Sequence, residues 1–110
     1  MAQVLVYVTA GSRDEALMIG RAAVESRLAA CANVLPSATT SIYWWEGKVN
    51  DAEEVSLILK TRAELVERLV AAIKERHSYD CPCVVALPIS GGNPQFLDWI
   101  DAETAETAEK

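Results

Sequence analysis

The stretch "TTSIYWWEGKVNDAEEVSLILKT" (residues 39–61) decides how this chain folds. Its first part is dominated by β-branched and aromatic residues, and Glu46-Gly47 then supplies the two residues of a tight hairpin turn. The chain returns as a second long extended run. There Val55, Leu57 and Leu59 alternate with Glu54, Ser56, Ile58 and Lys60, the period of a strand with two distinct faces.

Outward from this hairpin, the elements fall into a regular order. On the N-terminal side, "QVLVYVTA" (3–10) reads as a short buried strand ended by Gly11. "SRDE" (12–15) is a capping box, with Ser12 at the N-cap and Glu15 three residues on. The helix it opens places Leu17, Gly20, Val24 and Leu28 on one stripe, with Ala16, Ile19 and Ala23 beside it. "AACANVLP" (29–36) is extended and interrupted at Pro36. On the C-terminal side, "TRAE" (61–64) reads as a second capping box with Thr61 as cap. Its helix buries Leu65, Val66, Leu69, Val70 and Ile73 and runs out near His77, because Pro82 forbids continuation. "CVVALPI" (83–89) is the last strand, and Asn93-Pro94 starts a short helix with Phe96, Leu97 and Ile100 inward.

This is an α+β chain in the order β-α-β-β-α-β plus a short C-terminal helix, the ferredoxin-like arrangement of a four-stranded antiparallel sheet with two helices on one face. The domain is expected to span residues 1–102, with 103–110 a flexible acidic tail whose Ala-Glu-Thr repeat carries little bulk. The hairpin exceeds what two helices of about 15 residues can cover. Tyr43, Trp44 and Trp45 near its tip form an apolar patch of the kind that marks an interface, so self-association is expected.

The 110 residues are 51% hydrophobic and 24% charged, an ordinary globular composition for one domain. Of the formal net charge of −6, residues 98–110 hold −4, from five acids and one base. No basic stripe is present, which argues against nucleic acid as a partner. No window approaches the roughly 18 apolar residues of a membrane span, and the N-terminus has no charged leader pattern. Three cysteines, an odd number, argue against a secreted disulfide framework, so a cytoplasmic protein is expected.

The heptapeptide "HSYDCPC" (77–83) packs the only histidine and two of the three cysteines around Tyr79 and Asp80. If Cys81 and Cys83 enter a strand, their side chains share a face. Two thiolates with His77 or Asp80 within a turn then make a soft site for copper or zinc. The competing reading is structural: both cysteines lead a strand into the core, and His77 caps its helix. Cys31 reads as a small buried hydrophobe. The enzyme readings fail, since one histidine limits acid–base chemistry, no nucleophile elbow or phosphate loop appears, and "CPC" lacks the C-x-x-C redox spacing. "SGGN" (90–93) is explained as a loop before a capped helix.

"LAACANVLP", "SIYWWEGKV", "ILKT", "HSYDCP", "ALPI" and "FLDWI" resemble, in the same order, motifs of the CutA divalent-cation tolerance proteins, over about residues 5–100. The resemblance implies a ferredoxin-like protomer similar in fold to the PII signalling proteins. It also implies a homotrimer formed through the long hairpins and a role in tolerance to copper and other divalent cations, without an organic cofactor. A polar intersubunit pocket lined by Tyr43, Trp45, Glu53, Lys60, His77 and Tyr79 follows as an expectation. The alternative is a PII-like regulatory module that takes a small ligand or an unknown protein partner in the intersubunit clefts. The chain departs from the family motif His-Pro-Tyr-Glu-x-Pro-Glu at Ser78, Asp80 and Cys83. Val8 stands where some members carry a cysteine, so a metal role of that cysteine does not transfer.

Overall fold

A computed structural model describes residues 2–104 of the chain. The elements are β1 (Gln3–Ala10), α1 (Arg13–Glu25), β2 (Cys31–Val34), β3 (Thr39–Trp45), β4 (Lys48–Arg62), α2 (Val66–Arg76), β5 (Val84–Pro88) and α3 (Pro94–Thr104). The sheet runs β2-β4-β1-β5, all antiparallel, and β3 pairs with the distal half of β4. The expected second strand is broken at Pro36, so the sheet has five strands where the sequence reading had four. The α+β architecture is otherwise the expected one.

β4 is the spine. Its proximal half pairs with β1 from Arg62 to Val55, and its distal half pairs with β3 out to Lys48. Glu46 and Gly47 close that hairpin with φ of 52° and 79°, both left-handed, as a type I′ turn requires. The period of two sends Leu57 and Leu59 into the core with Val4, Val6 and Val8 of β1. Against this face α1 packs Ala16, Ile19, Gly20 and Ala23, and α2 packs Leu69 and Ile73. The stripe expected for α1 is rotated: Leu17 is exposed, and Leu28 lies beyond the helix end. The smaller residues face inward because the helix approaches closely, a Cβ on Gly20 falling 3.1 Å from that of Ala32.

α1 ends in a Schellman motif. Leu28 N–H donates to Ala23 O and Arg27 N–H to Val24 O, each at 3.0 Å, with Arg27 at φ 66° in the position glycine usually holds. The N-cap half of the first capping box forms, with Ser12 accepting from Glu15 N–H at 3.1 Å, while the Glu15 carboxylate reaches Gly11 N–H and Ser78 instead of Ser12 N–H. The second does not. β4 keeps pairing with β1 through Arg62, so Thr61 is a buried strand residue whose hydroxyl donates to Leu28 O at 2.8 Å. A 3-10 turn, Ala63–Leu65, then leads into α2 without a side-chain cap.

α3 crosses the other face of the sheet, burying Ile100 and Thr104. The buried Arg62 guanidinium donates to Thr104 Oγ1 at 3.0 Å and Thr104 O at 2.9 Å, and Arg27 reaches Glu103 Oε1 at 2.6 Å. α3 continues through Thr104, which takes in the first two residues of the stretch expected as tail. The remainder of the acidic tail lies outside the described residues.

Candidate functional site

Where β1 and the middle of β4 meet the loop after α2, polar side chains from four elements converge. Glu54 shares the sheet face of Ser56 by strand alternation and is 9% exposed. Its carboxylate accepts from Ser41 Oγ at 2.6 Å and from Tyr79 Oη at 2.9 Å. Ser56 in turn exchanges hydroxyl hydrogen bonds with Tyr7 at 2.8 Å and Thr39 at 2.7 Å.

The loop that carries Tyr79 is fixed through His77. The C-cap backbone of His77 is extended, which turns its ring down onto β1. Nε2 lies 2.8 Å from Thr9 O, and Nδ1 accepts from Tyr79 N–H at 3.1 Å. The two bonds together select the neutral tautomer protonated on Nε2. The Tyr79 ring tilts against the imidazole at 4.6 Å between centroids.

Glu15 locks the same loop to the start of α1. Its carboxylate accepts from Ser78 N–H at 2.6 Å, Ser78 Oγ at 3.0 Å and Gly11 N–H at 3.2 Å, and lies 3.5 Å from His77 Nδ1. Burial pushes its pKa up, but the hydrogen bonds from Ser78 and Gly11 outweigh that and leave it below the ordinary value. A depressed carboxylate stabilises the fold above its unfolded pKa, and that stabilisation is lost as pH falls through the folded value. Wild type should therefore lose more stability than Glu15→Gln as pH drops from about 5 to about 3. Parallel acid limbs in denaturant titrations of the two proteins would remove Glu15 from the acid response.

Tyr79 is pushed up to about 12 by burial, by its bond to Glu54 and by the charges of Glu54 and Glu15, with a smaller contribution from Tyr43. It stays a neutral donor at any physiological pH. Cys83 is exposed as a residue, yet desolvation of its thiol and the charge of Glu54 push its pKa up against a bond with the Thr9 side chain. Such a thiol is a weak nucleophile and a poor metal ligand near neutrality.

Within one chain the structure brings His77 and Tyr79 of the expected intersubunit pocket together, sets Tyr43 on the strand face of Ser41, and places Glu53, Lys60 and Trp45 elsewhere on the same chain. Glu53 lies on the opposite strand face, exposed, accepting from Thr40 at 2.8 Å; the pocket carboxylate is its neighbour Glu54. Lys60 stands six residues along β4 from Glu54, about 20 Å in a strand. There it donates to Asn33 Oδ1 at 2.7 Å, with its Nζ 5.7 Å from the Phe96 ring centroid. Trp45 stands at the hairpin turn, paired with Lys48.

The expected thiol geometry is also corrected. β5 begins at Val84, so Cys81 and Cys83 both lie exposed in the preceding loop, where strand alternation does not set their directions. Asp80 is exposed in the same loop, and His77 has both ring nitrogens engaged. Among the described residues no group of three or more His, Cys, Asp or Glu side chains could hold a metal ion. Cys31 is half-buried rather than buried, on the outer strand β2. Glu15, Ser41 and Glu54 escaped sequence reasoning, although Glu54 has the same strand parity as Ser56.

The family model described as CutA1 divalent ion tolerance protein matches residues 4–103. The divalent-cation tolerance protein CutA of Archaeoglobus fulgidus is 46% identical over 101 residues, covering 92% of this chain and 96% of that protein. The chloroplastic protein CutA 1 of Oryza sativa is 44% identical over 105 residues, 94% of this chain but 58% of the longer plant protein. The crystal structure of CutA1 from Oryza sativa superposes with a TM-score of 0.91 at 40% identity, covering 96% of each chain. This chain belongs to the CutA1 divalent ion tolerance family.

Proposed function

We propose that the protein works as a homotrimer in cellular tolerance to divalent cations, binding and not catalysing, with the β3–β4 hairpin of one subunit closing over the Glu54–Tyr79 cluster of the next. The observation that carries this reading is the hairpin itself. Ile42 and Trp44 are each 73% exposed, Tyr43, Trp45 and Val49 are exposed beside them, and the outer strand β5 presents Val85 and Leu87 to solvent. An apolar arm and a free strand edge on one small domain need a partner, and a closed ring of like subunits covers both without leaving an edge to aggregate. Light scattering should give a mass near three times 12.0 kDa at micromolar concentration. A monomer would overturn the assembly.

Divalent cations are what the relatives' names mention, and we take copper as the soft case among them. Among the described residues no group of three or more His, Cys, Asp or Glu side chains could hold it, and His77 is committed. Cation binding on this reading is completed between subunits, with the exposed Cys81 as the available thiol of the loop. A cytoplasmic location fits three free cysteines, a state that oxidising compartments do not favour. Among the described residues no helix is long and apolar enough to cross a membrane. The second reading, a regulatory module with a small ligand in the intersubunit cleft, is favoured by one observation: Glu54 is a buried carboxylate with only hydroxyl partners.

A further inference from the structure

Glu54 is more than nine-tenths buried, and among the described residues no ion pair reaches it. An ionised carboxylate removed from water without a counter-charge is costly, and proteins normally pair it. Its two hydrogen bonds come from neutral hydroxyls, Ser41 on Oε1 and Tyr79 on Oε2, which leaves about half of the carboxylate's accepting capacity unused. Lys60, on the same sheet face, is about 20 Å away along the strand and engaged by Asn33.

The groups around Glu54 are aromatic or neutral. Tyr79 is bonded to it, Tyr43 lies two residues along β3 from Ser41 on the same strand face with a partly exposed ring, and the raised pKa of Cys83 keeps that thiol protonated in the field of Glu54. A hard metal ion favours several carboxylate donors, and among the described residues no group of three or more His, Cys, Asp or Glu side chains could hold one. An organic cation wants one desolvated carboxylate to take its N–H groups and neighbouring aromatic rings to take its charge, and Glu54 with Tyr79 and Tyr43 supplies those groups.

We propose that the cluster of Glu54, Ser41, Tyr43 and Tyr79 is a binding site for a small organic cation, an ammonium or guanidinium group. This rests on the intersubunit reading above, in which a neighbouring hairpin completes the cleft and excludes water. The bound cation replaces the missing counter-ion of Glu54, while Ser41 and Tyr79 keep the carboxylate aimed outward.

The test is a titration of the intact protein with methylguanidinium chloride, followed by NMR shifts of the Tyr79 ring at neutral pH. Urea is the neutral control of similar shape, and potassium chloride holds ionic strength constant. Saturable shifts with a Kd near or below about 1 mM, absent with urea, are expected. Glu54→Gln should weaken binding at least about tenfold, because it removes the charge and keeps the shape. Glu67→Gln, which removes an exposed carboxylate of α2 outside the cluster, should bind like wild type. Equal shifts with urea, or no saturation by about 10 mM methylguanidinium, overturn the proposal. The wild-type comparison decides the matter even if Glu54→Gln does not fold. Mass measured on the same samples separates the two readings: a trimer that does not bind overturns this site alone, whereas a monomer overturns the assembly.

Discussion

Leu57→Ala should lower the stability of the folded chain by about 3–4 kcal/mol, within the range seen when a fully buried leucine is truncated. Leu57 has no solvent exposure and sits where three strands meet, opposite Val8 of β1 and Val34 of β2. Above it lies α1, with Gly20 so near that a Cβ there would come 3.6 Å from Leu57 Cδ1. The backbone on every side is held by a sheet ladder or a helix, so the vacated volume cannot collapse easily, and the cavity adds to the lost transfer free energy. Denaturant unfolding at a fixed protein concentration measures it, since an assembly's apparent stability depends on concentration. A loss below about 1 kcal/mol would show that α1 settles into the gap and that the close approach at Gly20 is not rigid.

The same position shows why much of the fold was legible. Signals confined to a few residues survived: Glu46-Gly47 set the hairpin turn, Ser12 capped α1, and the alternation around Leu57 and Leu59 fixed the core face of β4. Signals that compete with tertiary pairing failed. "TRAE" has the spacing of a capping box, but Arg62 pairs with Gln3 in the sheet, and an N-cap at Thr61 would sacrifice those ladder bonds. The α1 stripe was misplaced because size, not hydrophobicity alone, decides which residues face a strand at close range. The site was half legible. His77 and Tyr79 stood out by residue type, whereas Glu54 was masked by the adjacent Glu53 and could be told from it only by parity with Ser56. Glu15 was read solely as a capping residue, because its bonds to Ser78 span 63 positions of sequence. For the cysteines the alternation argument needs a strand through residues 81 and 83, whereas β5 begins at Val84, so their relative direction is not legible from strand periodicity.

His77→Phe should cost about 2–4 kcal/mol while preserving ring volume, because it leaves two polar groups without their partner. The imidazole side chain is fully buried, bonded through Nε2 to Thr9 O and through Nδ1 to Tyr79 N–H. A phenyl ring can keep the aromatic contact with Tyr79 but offers neither bond. Thr9 O then faces an apolar ring and Tyr79 N–H loses its acceptor, each at about 1–3 kcal/mol when water cannot enter. The second consequence reaches the site. Tyr79 is aimed at Glu54 by its backbone tie to His77, so loosening that tie should lengthen the Tyr79–Glu54 bond and lower the Tyr79 pKa from its raised value of about 12 toward an ordinary phenol. Alkaline difference titration against Tyr79→Phe isolates that phenol from Tyr7 and Tyr43. A stable variant with an unshifted phenol would reduce His77 to a space-filling ring. A destabilised variant with an unshifted phenol would confine its role to the fold and leave the aim of Tyr79 to the Glu15–Ser78 lock.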